Sequence, residues 1–184
     1  MKLALAMVLC AVLTCAAAPV PTPAANDAGP LAHPSRDVDV TYRIVRGDRV
    51  LSERMRWQAA TQRQRVDPPS AGLFVVIDYR TGRMDTVQAA DREVLDMAAP
   101  PSATGTYVRR GEDQVAGLPC TDWEATASDG RPTVACVTDD GVMLRATAGG
   151  QTLLTAVKVD YTPQDSALFA VPDGYTVHHA GAQQ

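Results

Sequence analysis

The chain has 184 residues and a formal net charge of −4, from 17 basic and 21 acidic side chains, with five Tyr, two Trp and two Phe as its aromatic surface. A mildly acidic chain with few aromatics and no recognition motif lacks the basic field and stacking platforms of nucleic-acid binding, so no nucleic-acid partner is expected. Beyond the N-terminal leader no stretch approaches the roughly 18 consecutive apolar residues of a membrane-spanning helix, so no transmembrane segment is expected.

The leader begins with Lys2, continues through the apolar run Leu3 to Leu13 and ends in Ala16 to Ala18. These are the charged, apolar and cleavage regions of a secretory signal, assigned to residues 1–18, which places the mature chain in the periplasm or outside the cell. Cys10 and Cys15 leave with it. A rival reading takes Val12-Leu13-Thr14-Cys15 as a lipoprotein signal anchored through Cys15. Thr14 stands where a smaller residue is usual, which favours ordinary cleavage between Ala16 and Ala25. Residues 19–36 contain Pro19, Pro21, Pro23, Pro30 and Pro34 with no apolar periodicity, the composition of a flexible linker.

From Asp37 the pattern turns to period two. Val38, Val40, Tyr42 and Ile44 fall on one face and Asp37, Asp39, Thr41 and Arg43 on the other, which predicts a half-buried strand. Arg46-Gly47-Asp48-Arg49 turns the chain into a second strand with Leu51, Met55 and Trp57 alternating, so the pair reads as a hairpin. The tripeptide Arg46-Gly47-Asp48 carries no adhesion signal of its own, because tight hairpins favour Gly and Asp at these positions. Eight arginines lie between Arg36 and Arg65, interspersed with acids, and are read as a solvated sheet face.

Arg63 to Val66 predicts a third strand, and the apolar run Leu73 to Ile77 predicts a strand buried on both faces. Thr81-Gly82 turns the chain before Met84 to Val87. Residues 89–99 suit either a helix, with Ala90, Val94, Met97 and Ala98 at helical spacing, or a second hairpin, which Val87 and Leu95 fit, and the hairpin is favoured. Pro100-Pro101 ends that element. Further strands are expected at Thr106 to Arg110, Asp122 to Ala127, Thr133 to Thr138, Val142 to Ala146 and Gln151 to Thr162, with turns at Asp129-Gly130, Asp140-Gly141 and Gly149-Gly150. In the last strand Leu153, Thr155, Val157, Val159 and Tyr161 share a face. Thr162-Pro163 then reads as a helix start, with Thr162 as N-cap and one short turn through Leu168. The whole is a mainly β domain over 37–176, a strongly curved antiparallel sheet or partial barrel with little helix, and residues 177–184 form a tail.

Once the leader is removed Cys120 and Cys136 are the only cysteines, and in an oxidising compartment they allow one disulfide. Closing a loop of about 15 residues contributes roughly 3 kcal/mol. No zinc site is expected, since the two thiols have no CxxC partner or nearby histidine. His33 lies in the linker and His178-His179 in the tail, so no histidine is placed to serve a core nucleophile. Asp122 and Glu124 share a strand face but not a cleft, and Asp139-Asp140-Gly141 has turn spacing, not calcium-loop spacing. No catalytic residue, metal or cofactor is therefore expected.

The block Gly117-Leu118-Pro119-Cys120, Trp123 and Cys136 through Arg145, together with Leu168-Phe169-Ala170-Val171-Pro172-Asp173-Gly174-Tyr175, resembles a family of uncharacterised exported bacterial proteins similar in architecture to the LolA-like periplasmic lipoprotein carriers. The resemblance implies a curved sheet whose concave face holds acyl chains or another apolar ligand. The carriers begin with a lid helix, whereas Ala28 to Arg36 contains Gly29, Pro30 and Pro34 and should not form one. The expected ligand-binding set is Tyr42, Met55, Trp57, Val157 and Val159, with Val40 on the same side. The expected partners are a lipid, a lipoprotein or, on the alternative reading, another envelope protein docked on the sheet.

Overall fold

The structure is a computed structural model that describes residues 29–101, 106–126 and 130–180. The leader, Cys10 and Cys15, the cleavage region, linker residues 19–28, Asp129 of the expected turn and tail residues 181–184 lie outside the described residues.

Twelve strands form one sheet. They are β1 (Val38–Arg46), β2 (Arg49–Gln58), β3 (Arg63–Asp67), β4 (Leu73–Asp78), β5 (Arg83–Gln88), β6 (Glu93–Ala98), β7 (Val108–Val115), β8 (Leu118–Thr126), β9 (Pro132–Val137), β10 (Met143–Ala148), β11 (Gln151–Asp160) and β12 (Thr176–His179). Their spatial order is β12-β6-β5-β4-β3-β2-β1-β11-β10-β9-β8-β7. Every neighbouring pair is antiparallel except β12 and β6, which run parallel. The sheet curls until β7 approaches β11, but β12 and β7 remain its two ends, so the barrel is partial.

Turn chemistry explains the meander. Gly47 takes φ +59° between β1 and β2, the left-handed position that a two-residue hairpin needs. Ala116 at φ +50° and Gly117 at φ +78° do the same between β7 and β8. That turn has no composition signal beyond one glycine, and the sequence reading places no turn there. The expected strand Thr106 to Arg110 accordingly runs on to Val115, and β8 starts early, at Leu118. Residues 89–92 close the β5–β6 hairpin, in which Val87 stands opposite Val94 and Leu95 opposite Thr86.

The curl gives the sheet two faces that are buried in different halves. On the inner face Val38, Val40, Tyr42, Trp57, Val115, Cys120, Cys136, Val142, Leu144 and Ala156 pack into one core. On the outer face Phe74, Val76, Val87 and Val94 of β4 to β6 form a second core beneath Phe169, with Leu168, Val171 and Tyr175 packed against it. The run Leu73 to Ile77 is thus not buried on both sides: Phe74 and Val76 are buried outward, and Leu73, Val75 and Ile77 are only half-buried inward.

The C-terminal segment reaches the outer face by specific bonds. Asp37 accepts the N–H of Ala59 and of Gln164, both at 2.8 Å, and so ties the start of β1 to the chain that leaves β11. Gln58 Nε2 donates to the Gln164 carbonyl at 2.9 Å, and Arg65 donates to the Leu168 carbonyl at 2.8 Å. The helical turn is the 3-10 segment Ser166–Phe169, capped by Asp165, whose carboxylate accepts the Ala167 N–H. The expected start at Thr162 is displaced: Thr162 to Gln164 belong to neither helix nor strand, and Asp165, not Thr162, supplies the cap. Beyond it β12 pairs with β6 over His178↔Leu95 and His179↔Asp96, so residues read from sequence as tail extend the sheet.

Candidate functional site, the inner sheet face

The cross-strand register aligns two files of side chains on the inner face. One runs Val40, Met55, Val66, Val75, Thr86, Leu95 and the other Val38, Trp57, Gln64, Ile77, Met84, Met97. Since directly opposed residues of a sheet share a face, each file is a continuous strip from the closed half of the curl into its open half. In the closed half the strips are core. In the open half Val66, Val75, Ile77, Met84 and Met97 are only half-buried, and Leu95 is 37% exposed. The opposite side of β4 to β6 already has its own core, so the apolar character of this side is not required to bury the sheet.

The ligand-binding set expected from sequence divides. Trp57 is 2% exposed, Tyr42 is buried, and Met55 and Val159 pack against the same core. Tyr42 donates its hydroxyl to the Met143 carbonyl at 2.7 Å, and burial pushes its pKa up. Val157 does not join them: it is 56% exposed. The β1–β11 register shifts between Thr41↔Lys158 and Tyr42↔Ala156, which leaves Val157 as the extra residue of a β-bulge. Strict alternation over Leu153 to Tyr161 is broken there: Leu154 and Ala156 face the core before the bulge, Val159 and Tyr161 after it. The remaining inner residues, Val66, Val75, Ile77, Met84, Leu95 and Met97, were missed from sequence. Their signal was β4 to β6 being apolar at both odd and even positions.

A non-helical strap lies at the boundary between the closed and open halves. His33 stacks on Trp57 with centroids 5.1 Å apart and contacts Tyr79 at 4.1 Å. Its pKa is lowered by burial. Ser35 N–H donates to the Asp140 carbonyl at 2.9 Å, and Arg36 Nε pairs with the Asp140 carboxylate at 2.7 Å while its guanidinium lies 3.6 Å from the centre of the Tyr161 ring. Residues 33–36, assigned by composition to a flexible linker, are therefore held to the sheet. Burial works against the Asp140 carboxylate, but hydrogen bonds from Thr138, Arg36 and Tyr161 hold it below the ordinary carboxylate value. Trp57 Nε1 is buried with no acceptor, a donor left open at the boundary.

A cleft of about 530 Å³ adjoins the strap, lined by Arg36, Asp113, Cys120, Asp139, Asp140 and Tyr161 among others. Its charges are largely spent on one another: Arg36 with Asp140, Arg109 with Glu112, and Asp113 with Arg145, each at 2.7 Å. The cleft is thus a lock on the strap, with Asp140 as its hub. Cys120 and Cys136 are bonded, with Cα atoms 5.4 Å apart, and join β8 to β9 beneath it. Asp122 pairs with Arg145 and Glu124 with Arg110, while His179 meets Asp96 at 2.7 Å and His178 lies 3.7 Å from Glu93. No cluster of three metal-ligating side chains occurs among the described residues.

No protein-family model matches the chain, and no curated protein matches it in sequence. Solved structures do match in fold. An uncharacterized conserved protein from Thermus thermophilus aligns with a TM-score of 0.61 at 16% identity, over 79% of this chain and 91% of that one. MucB aligns at 0.55 and 17% identity, and MucB in the Pseudomonas aeruginosa MucA/MucB complex at 0.56 and 18%. PNGF-II aligns at 0.57 and 11%. The chain spans 61% of the first MucB chain and 31% of PNGF-II. At these identities the likeness is one of fold: a curled antiparallel sheet shared with the Thermus protein and with part of MucB.

Proposed function

We propose that the protein is a non-catalytic binding module of the cell envelope, whose open inner strip takes the apolar part of a partner, the acyl chain of a lipid or lipoprotein. The observation that carries this reading is the strip itself. Val66, Val75, Ile77, Met84, Leu95 and Met97 form a continuous half-exposed apolar surface on a sheet whose other side is already packed. The leader and the Cys120–Cys136 bridge support an exported site of action. A second reading, docking of an apolar protein segment, is favoured by the openness of the strip and by the presence of a MucA/MucB complex among the fold neighbours. Native mass spectrometry of protein purified from its own envelope separates them. A retained species of lipid mass supports the first, a retained polypeptide supports the second, and a bare chain in every preparation removes both.

A further inference from the structure

We propose that the end of the sheet formed by the β1–β2 hairpin and the start of β11 is a docking surface for an anionic lipid bilayer. Of the eight arginines between Arg36 and Arg65, Arg36 pairs with Asp140, Arg54 and Arg56 with Asp39, Arg63 with Asp78 and Arg65 with Asp67. Arg43, Arg46 and Arg49 are exposed and make no ion pair among the described residues. The three that remain unpaired gather at one hairpin. Arg46 stands opposite Arg49 across the turn, and Arg43 lies between Ser52 of β2 and Thr155 of β11.

Exposed apolar side chains share this end. Val50 is 59% exposed and stands opposite Val45, and Leu153, 43% exposed, follows beside Val45 when the Ile44↔Leu154 register is continued by one residue. The acids nearby are Asp48 in the turn and Glu53, whose carboxyl is pushed up by burial against the field of Arg46. In a chain of net charge −4 this end carries a local excess of positive charge around exposed Val and Leu. A soluble polyanion would need the arginines only and a protein core the apolar groups only. An anionic bilayer uses both, with guanidinium groups at headgroup level and short apolar side chains at the acyl boundary.

The surface is separate from the inner strip, so the two proposals fail independently. Flotation of protein from the soluble fraction, oxidised, with phosphatidylglycerol–phosphatidylcholine vesicles should show binding that falls with salt, and pure phosphatidylcholine vesicles should show none. The triple variant Arg43→Gln, Arg46→Gln, Arg49→Gln should lose about a hundredfold in partitioning at low salt. Val50→Asp should weaken it too, while Thr176→Glu, on the exposed edge strand β12 and outside both surfaces, should leave it unchanged. An unchanged melting temperature shows that each variant is folded. No binding by the parent protein, equal binding to neutral vesicles, full binding by the triple variant, or loss with the arginines but not with Val50→Asp each overturns the proposal.

Discussion

Tyr42 shows how a polar atom is kept in the closed half of the sheet. Its ring fills the inner core while its hydroxyl meets the Met143 carbonyl, so Tyr42→Phe removes one part-buried hydrogen bond without opening a cavity. A loss of about 1 kcal/mol in denaturant unfolding is expected, with the m-value unchanged. His33 gives a second test. Burial between Trp57 and Tyr79 lowers its pKa from 6.5, so the docked strap holds the neutral ring. Because the folded value lies below the unfolded one, the contribution of His33 to strap docking is fully present above pH 6.5 and is lost as pH falls through the folded value, while the Ser35 and Arg36 contacts to Asp140 remain. A Trp57 fluorescence titration in a Trp123→Phe background should show a midpoint below 6.5 that vanishes in His33→Ala. A midpoint above 6.5 would mean that stacking on two rings stabilises the imidazolium more than burial opposes it.

At the scale of elements, period-two patterning made β1 and β2 legible, because each has one face that must be buried, whereas β4 showed only as an unbroken apolar run and β6 stayed open between helix and hairpin. The bulge in β11 was not legible: no residue type marks Val157 as supernumerary, and only pairing with β1 reveals it. The strap and β12 escaped for a related reason. Neither has a periodicity of its own, and both are fixed by distant partners, Asp140 and Trp57 for one and the edge of β6 for the other. The disulfide was legible from cysteine count and compartment. Cys136 is fully buried and Cys120, 5% exposed, forms part of the cleft wall, so a reductant meets little of the bridge while the β8–β9 pair stays closed. Reduction should then be slow in the native state, and the reduced protein should be less stable by about 3 kcal/mol. Rapid thiol titration in native buffer would contradict this placement.

For the whole molecule, the decisive feature is that the two halves of one sheet bury opposite faces. The closed half buries its inner face by curling, and the open half buries its outer face beneath the segment around Phe169. Sequence alone put Tyr42, Met55, Trp57 and Val159 on one side of the sheet, and the inner core gathers them there. It could not show that the apolar strip continues half-buried over β3 to β6, because that depends on which side the C-terminal segment covers. The central claim is that this continuation binds apolar ligand. The direct measurement is titration of a fluorescent fatty acid into the oxidised protein, its Val75→Asp and Leu95→Glu variants, and Val50→Asp as a control on the outer side. Saturable binding by the parent and by Val50→Asp is predicted, with affinity lowered at least about tenfold in the two inner variants while their melting temperatures stay close to the parent's. Absence of saturable binding, or equal affinity in all four proteins, would contradict the account.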